Sequence, residues 1–300
     1  MKPRIRRSLR VTALVLATAA LLVAVRMWLE PKDSPAPDVD LSPAARERLM
    51  TSGQQSLIDE ASMIGDLMSA DVWLVGEDHF YREPNEYLTH LLDAVRDRRI
   101  TLLLEIPRNL QPAVDAYVST GASPSFDAAV REGDALPFGH ILQWAHRNRT
   151  KVSRVVAVDE PGGTIFLNRA LLRETRNRTM ADSVSSSIDR APGDLVVIYG
   201  GQLHMTLGGR YRYDLENRTP AGALLLRQLD RRRIRTVLLS GKGKSPASEI
   251  LAEGVYAAAT PVGEVPYAYF IDYPIFRASK ARELFDYYVV LGKLTRIGGR

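Results

Sequence analysis

The sequence predicts an α/β domain with a mostly parallel, mixed sheet that is covered by helices on both faces. Two observations support this fold class. Short apolar runs alternate along the chain with segments of helical periodicity, which is the pattern of strand–helix–strand units. Some of the apolar runs, such as ITLLL at 100–104, show no polar alternation, as expected for strands that are buried on both faces of a sheet.

An N-terminal leader, residues 1–30, precedes the domain. Five basic residues come before the uncharged apolar run Val11–Val25, and this order is typical of a secretion signal whose basic end stays in the cytoplasm. No clear small-residue cleavage site follows the run. The leader therefore predicts an exported protein, with an inner-membrane anchor facing the periplasm favoured over a cleaved signal peptide that releases a soluble periplasmic form.

Residues 31–43 are predicted to form a tether. They contain four prolines with Asp, Ser and Lys between them, and such a segment neither forms a helix nor buries apolar surface. Residues 44–300 then make up the α/β domain, which is long enough to bury a core without disulfides.

The composition excludes several kinds of site and partner. The chain has no cysteine, which excludes disulfide frameworks, zinc–thiolate sites and cysteine nucleophiles. Six of the 40 basic residues lie within residues 1–26, so the rest of the chain has 34 basic and 35 acidic residues and a net charge of −1. A nearly neutral body argues against nucleic-acid binding. Nothing in the sequence indicates an oligomeric state.

Seven apolar runs are predicted to be strands. In chain order they are Asp71–Val75, Ile100–Leu104, Val155–Val158, Leu195–Tyr199, Thr236–Leu239, Tyr267–Ile271 and Tyr287–Leu291. The pattern assigns no partner to the last two. Helical periodicity predicts the remaining elements, namely Pro84–Arg99, stretches up to Arg149, a long helix from about Thr164 to Arg190, and Ala221–Arg232.

Acidic and histidine side chains follow four of these strands. Glu77, Asp78 and His79 follow the first strand and Glu105 the second, Asp159 and Glu160 end the third, and His204 comes after the two glycines that close the fourth. In open α/β sheets, ligands bind beyond the carboxyl ends of the strands. We therefore expect these side chains to converge on one crevice.

The candidate site residues from this pattern are Glu77, His79, Glu105 and His204. Carboxylate and imidazole groups suit a divalent metal and serve equally well as general acids and bases. Each residue alone also has an ordinary structural explanation. Solvent exposure or helix capping explains Glu77 and His79, and neighbouring carbonyls satisfy a buried His204. An ion pair with Arg178 or another arginine explains Glu105. Their convergence at one edge favours a functional site.

Five segments carry a resemblance to a known superfamily. They are VWLVGEDHF at 72–80, ITLLLEIP at 100–107, ILQWAHRNRTKVSRVVAVD at 141–159, RNRTMADSV at 176–184 and VVIYGGQLHM at 196–205. In this order they are similar to the superfamily that groups erythromycin esterase-like proteins, ChaN-type haem-uptake lipoproteins, TraB proteins and Tiki metalloproteases. The resemblance implies an α/β domain whose site uses Glu77, His79, Glu105 and His204, with Arg178 matching the arginine beside the Met-Ala pair.

The resemblance implies more than one chemistry. Some members hydrolyse esters by histidine-assisted attack of water, others are described as metal-dependent peptidases, and the ChaN branch binds haem. This chain lacks the cysteine that is lipidated in ChaN, which removes the basis for an outer-membrane role.

The sequence therefore predicts a membrane-tethered periplasmic hydrolase that acts on an ester, amide or peptide bond of a small molecule or peptide. In one version, Glu77, His79, Glu105 and His204 bind manganese, zinc, iron or cobalt, and the metal activates water. In the other version a histidine is the base and Arg178 stabilises the oxyanion. The alternative function is a non-catalytic protein that binds haem or another small ligand. No Gly-x-Ser-x-Gly elbow occurs, which argues against a serine hydrolase.

Overall fold

An eight-stranded mixed sheet organises the residues described by the computed structural model, which are 39–162, 175–211, 219–271, 275–276 and 280–297. The strands of this sheet are β1 (Leu57–Ile58), β2 (Val72–Glu77), β3 (Ile100–Pro107), β4 (Val152–Asp159), β5 (Leu195–Gly201), β7 (Ile234–Gly241), β8 (Gly254–Ala257) and β10 (Tyr287–Leu291). A separate two-stranded sheet pairs β6 (Arg210–Tyr211) with β9 (Ile275–Phe276). The predicted fold class, an α/β mixed sheet, is confirmed.

The strand order is β1-β8-β10-β7-β2-β5-β3-β4. The six strands from β10 to β4 run parallel to their neighbours, whereas β8 is antiparallel to both β10 and β1. The strand predicted over Tyr287–Leu291 is β10, and it pairs with β7 and β8. Strands β2, β5, β3 and β4 are consecutive, so their carboxyl ends lie side by side along one edge.

The helices of the described residues cover this sheet. They are α1 (Pro43–Gln54), α2 (Glu60–Met68), α3 (Arg82–Ala94), α4 (Gln111–Thr120), α5 (Pro124–Glu132), α6 (Gly139–Arg147), α7 (Arg176–Arg190), α8 (Gln202–Met205), α9 (Ala221–Leu225) and α10 (Pro246–Ile250). Strand β2 is buried along its whole length. Trp73 and Val75 belong to one core cluster and Val72 and Leu74 to the other, because successive side chains point to opposite faces.

Four predicted elements differ from the structure. The helix predicted over Pro84–Arg99 spans Arg82–Ala94. The run Tyr267–Ile271 contains a 3₁₀ turn, Tyr267–Tyr269, because Phe270 packs edge-on against the rings of Phe285 and Tyr288 within the core instead of joining a ladder. The helix predicted from Ala221 to Arg232 ends at Leu225. The long helix begins only at Arg176, after the N-cap Thr175, and residues 163–174 of its predicted span lie outside the described residues.

The leader, residues 1–30, and most of the tether also lie outside the described residues. Helix α1 begins at Pro43, where Ser42 caps it by accepting a hydrogen bond from the Ala45 backbone N–H. Within the part of the chain that the structure describes, no helix combines the length and apolarity needed to cross a membrane.

Candidate active site

The carboxyl ends of β2, β3 and β5 bring four predicted residues together. His79 Nδ1 lies 2.5 Å from Glu77 Oε1, and His79 Nε2 lies 3.8 Å from Glu105 Oε2. On the other side, His204 Nε2 lies 3.4 Å from Glu105 Oε1. The expected convergence of Glu77, His79, Glu105 and His204 is therefore present in the structure, with Glu105 between the two imidazoles.

Glu105 is the centre of this cluster. Its side chain is only 3% exposed, yet the Gly201 backbone N–H donates to Oε2 at 2.6 Å and Arg176 Nη2 donates to Oε1 at 2.6 Å. Burial opposes its charge, but His204, His79 and Arg176 outweigh burial and hold the pKa of Glu105 well below its usual range. Glu105 is thus a fixed anion shared by three cationic or hydrogen-bonding neighbours.

Gly200 and Gly201 allow these side chains to approach the backbone of β5. A Cβ at Gly200 would lie 2.4 Å from Glu105 Oε2, and a Cβ at Gly201 would lie 2.9 Å from His79 Nε2. Both distances are shorter than real Cβ contacts, so any larger residue at either position displaces a site side chain.

The arginine of the site is Arg176 and not the predicted Arg178. Arg176 donates from Nε to Asp159 Oδ1 at 2.5 Å and from Nη2 to Glu105 at 2.6 Å. Arg178 is exposed. Two residues along an α-helix correspond to a rotation of about 200°, so α7 directs Arg178 away from the face that carries Arg176. Arg176, and not Arg178, therefore contacts the cluster of Glu77, His79, Glu105 and His204 in this arrangement.

Asn177 fixes the orientation of His204. Its amide Nδ2 donates to the Thr219 carbonyl at 2.9 Å, which leaves Oδ1 as the acceptor for His204 Nδ1 at 2.5 Å. An amide oxygen cannot donate, so His204 Nδ1 carries a proton. The other ring nitrogen, Nε2, faces Glu105 Oε1 at 3.4 Å.

The neighbours of His79 raise the pKa of its imidazole. Burial disfavours its charged form, but the hydrogen bond to Glu77 and the negative charge of Glu105 outweigh burial and raise the pKa of His79 to about 9. At neutral pH, His79 is therefore an imidazolium whose Nδ1–H is donated to Glu77. The site thus places an imidazolium, His79, and a second imidazole, His204, on either side of a single carboxylate.

A cavity of about 260 Å³ opens above the cluster. Glu77, His79 and His204 line it together with Lys244 and Phe270. The Lys244 ammonium lies 4.2 Å from the centre of the Tyr81 ring and also donates to the Tyr81 hydroxyl. The two imidazoles are thus exposed to a pocket whose volume suits a small acyl group.

The turn after β2 is held in a strained conformation. Phe80, which follows His79, has a φ of 71°, and a residue other than glycine in this region costs about 1–3 kcal/mol. The C-terminal segment holds it there, because the Ile297 N–H donates to the Phe80 carbonyl at 2.7 Å and the Arg82 N–H donates to the Thr295 carbonyl at 3.0 Å. The sequence contains no signal for this contact between residues more than 200 positions apart.

The donor set does not fit a divalent metal. The groups predicted as ligands have other partners. His79 is hydrogen-bonded to Glu77, and the Arg176 guanidinium donates a hydrogen bond to Glu105. The positive charge of Arg176 also repels a cation at this position. Across residues 39–162, 175–211, 219–271, 275–276 and 280–297, no group of three or more His, Asp or Glu side chains is placed to hold a metal ion. Glu77, His79, Glu105 and His204 do not form the predicted ligand shell.

Haem binding stays a prediction. His79 Nε2 and His204 Nε2 both face Glu105 and their Nδ1 atoms are hydrogen-bonded, so neither imidazole is directed at the open cavity as an axial ligand would be. The cavity volume of about 260 Å³ is also below the range of roughly 300–1,000 Å³ found for drug-sized ligands.

The other histidines lie elsewhere. His90 is exposed and pairs with Glu60 at 2.9 Å, as expected for a solvated helix face. His146 packs with its Nδ1 2.8 Å from the Val118 carbonyl.

Solved structures with this architecture were found by comparison. A succinoglycan biosynthesis protein matches with a TM-score of 0.64 and 9% identity over 85% of this chain and 99% of its own. A mutant erythromycin esterase in its open conformation matches with a TM-score of 0.58 and 11% identity over 84% of this chain and 98% of its own. The chain shares its fold with erythromycin esterase. The resemblance predicted from five short segments is confirmed as a likeness of fold.

The erythromycin esterase fold does not by itself define the reaction. No protein-family model matches the chain, and no curated protein matches it. The function must therefore be argued from the site.

Proposed function

We propose that this protein hydrolyses an ester or amide bond by histidine-assisted attack of water, without a metal ion. The observation that carries the proposal is the pair of imidazoles on either side of Glu105 at one cavity. In the proposed mechanism His204 is the base through Nε2, because Asn177 accepts a hydrogen bond from its Nδ1. His79 is the acid, because Glu77 and Glu105 raise its pKa to about 9. A base and an acid at one cavity are what acyl hydrolysis needs.

The reaction uses each group once per turnover. His204 Nε2 accepts a proton from water as the water oxygen bonds to the carbonyl carbon. His79 donates its Nε2 proton to the leaving oxygen or nitrogen as the carbon–heteroatom bond breaks. His204 then releases its proton to solvent and His79 regains one, so the products are an acid and an alcohol or amine.

Glu105 and Arg176 act through charge and position in this scheme. The Glu105 carboxylate stabilises the imidazolium that forms on His204, and Arg176 keeps Glu105 ionised at its buried position. Preorganised charges of this kind cost no rearrangement during the reaction.

The proposed setting is the periplasmic side of the inner membrane. The basic, apolar leader and the Pro-rich tether support export and anchoring. Substrates in this proposal are small esters, amides or peptides whose acyl group enters the cavity of about 260 Å³. The haem-binding alternative finds no support in the donor set described above.

The test is turnover by the full-length protein of a chromogenic acetate ester and a fluorogenic peptide. We expect His204→Gln and His79→Gln to lower kcat by about 10²–10⁴-fold, the usual contribution of general acid–base groups. His90→Gln is the matched control, because His90 is exposed and pairs with Glu60 away from the cavity. Unchanged turnover in His204→Gln would sink the proposal, as would a folded protein that cleaves neither substrate type.

The pH dependence of kcat provides a second readout. The proposed acid is active only when protonated, so the rate should fall as pH rises through the His79 pKa of about 9. The residual activity of His79→Gln should lack this alkaline limb.

A further inference from the structure

A groove with unpaired arginines lies outside the candidate active site. It has a volume of about 350 Å³ and runs between α7 and β4, the last strand of the sheet. Arg108 at the end of β3, Arg154 on β4 and Arg190 in the last turn of α7 all line it. None of its lining residues lines the cavity above His79 and His204.

No ion pair holds any of the three arginines in the part of the chain that the structure describes. Arg108, Arg154 and Arg190 are exposed and make no ion pair or side-chain hydrogen bond there. Other arginines are paired, for example Arg235 with Asp66 and Arg98 with Asp71. Three like charges around one concavity repel each other, and an anion bound among them removes that cost.

The remaining lining groups suit an oxyanion. The hydroxyls of Ser183 and Ser187 donate to carbonyls of their own helix, at 2.7 and 2.8 Å. Ser186 makes no such bond within the described residues, so its hydroxyl is available to a ligand. The one acid of the groove, Asp182, accepts a hydrogen bond from Gln228 at 3.4 Å, and its charge offsets one of the three arginines.

We propose that this groove binds the phosphate group of a small soluble ligand. A phosphate group carries about −1.5 to −2 charges at neutral pH, which matches the net charge of three arginines and one aspartate. Planar guanidinium groups bind phosphate oxygens through paired hydrogen bonds. The volume of about 350 Å³ lies within the range of small-molecule pockets, roughly 300–1,000 Å³.

Helix α7 links the groove to the candidate active site. Arg176 at its first residue binds Glu105, and Arg190 at its last residue lines the groove. Thr179 belongs to the groove and also donates to Glu160 at 3.5 Å. The proposed phosphate site nevertheless stands independently of the proposed hydrolysis, because it shares no lining residue with the cavity.

The experiment is calorimetric titration of the full-length protein with inorganic phosphate and with glycerol phosphate. We expect saturable binding that weakens at least tenfold in the double variant Arg154→Gln/Arg190→Gln. Both arginines are exposed, so we expect the variant and the wild type to have the same denaturant concentration at the midpoint of unfolding. Arg232→Gln is the matched control, since Arg232 is exposed and lines a different pocket; it should bind like wild type.

Three outcomes would overturn the proposal. They are the absence of saturable phosphate binding, equal binding by the double variant, and binding only to phosphatidylglycerol vesicles, which would assign the groove to lipid headgroups. Ester hydrolysis by the double variant, measured in parallel, separates this site from the proposed catalytic one: hydrolysis should persist when phosphate binding is lost.

Discussion

Asn177 illustrates how one buried amide determines which nitrogen of a neighbouring imidazole is basic. Its two ends have different partners, the Thr219 carbonyl for Nδ2 and His204 Nδ1 for Oδ1. Exchanging the two ends would place oxygen against oxygen at Thr219, so this orientation is the only one with two hydrogen bonds. Asn177 is a positioning residue, because it acts on substrate only through His204.

Asn177→Leu should release the His204 tautomer. The expected loss in kcat is on the order of 10- to 100-fold, the usual effect of removing a group that orients a site residue. The measurement is nitrogen NMR of labelled histidine, in which the His204 proton should leave Nδ1 for a mixture of both nitrogens. A His204 that stays protonated at Nδ1 in this variant would contradict the assignment.

Asn177→Asp serves as the matched comparison. A carboxylate keeps an acceptor for His204 Nδ1 but loses the donor to the Thr219 carbonyl. The tautomer should therefore persist in Asn177→Asp while the free energy of unfolding falls, which separates positioning from stability.

The four residues Glu77, His79, Glu105 and His204 could be predicted because each follows an apolar run in the sequence, and the carboxyl ends of such runs meet at one edge of a parallel sheet. Asn177 and Arg176 could not be assigned in the same way. The run Arg176-Asn177-Arg178 suggests an arginine at the site, but a rotation of about 100° per residue decides which one faces inward. That phase depends on where α7 begins, and the sequence pattern placed its start near Thr164.

Helix α7 carries a largely buried arginine, Arg176, and an exposed one, Arg178. Substituting each in turn tests which face of the helix is directed at the site. The Arg176 side chain is 18% exposed and neutralises Glu105 and Asp159, which are 3% and 8% exposed. Arg176→Leu removes the guanidinium that binds both buried carboxylates and leaves Glu105 only its histidine neighbours, so the free energy of unfolding should fall by about 3–5 kcal/mol. Urea denaturation of the full-length protein measures it.

Arg178→Leu is the control from the same helix. Arg178 is exposed, so the change should stay within about 0.5 kcal/mol. Arg176→Lys keeps the charge but not the two-armed contact, and its stability should lie between wild type and Arg176→Leu even if the leucine variant fails to fold. Equal effects at positions 176 and 178 would contradict the placement of Arg176 in the site.

The elements themselves were predictable where local pattern and burial agree. The central strands are correct in position because uninterrupted apolar runs are buried on both faces, although β3 and β4 extend beyond the predicted runs, to Pro107 and Asp159. The run Tyr267–Ile271 is equally apolar but forms a 3₁₀ turn, which Pro266 caps at its N-terminus. The aromatic rings of this run reach the core without strand pairing. Apolar composition alone does not distinguish these outcomes.

The order of the strands depends on pairings that are distant in sequence. Strand β5 lies between β2 and β3, so Gly201 can donate to Glu105 and the two glycines leave room for the site side chains. The C-terminal strand β10 completes the other half of the sheet, and residues 295–297 hold the turn at Phe80. No local pattern encodes these contacts, which is why the sequence predicted convergence but not its geometry.

The stability of the whole molecule should depend on the same proton that the proposed reaction uses. The His79 pKa is about 9 in the folded protein and about 6.5 in an unfolded chain. A raised folded pKa contributes stability that is fully present below about pH 6.5 and is lost as pH rises through about 9. The free energy of unfolding should therefore fall across this window, as measured by urea denaturation.

His79→Gln removes the titrating group and should flatten this part of the pH profile, while His90→Gln should retain it, because His90 is exposed and paired only with Glu60. The tyrosines with raised pKa values, such as Tyr199, ionise above this window and leave it unaffected. If the slope between about pH 6.5 and 9 is the same in His79→Gln and wild type, His79 is not held as an imidazolium by Glu77 and Glu105. His79 would then not be the proposed acid, and it would not explain the fall of kcat at alkaline pH. If instead the free energy of unfolding and kcat fall over the same pH range, both changes are assigned to the His79 proton.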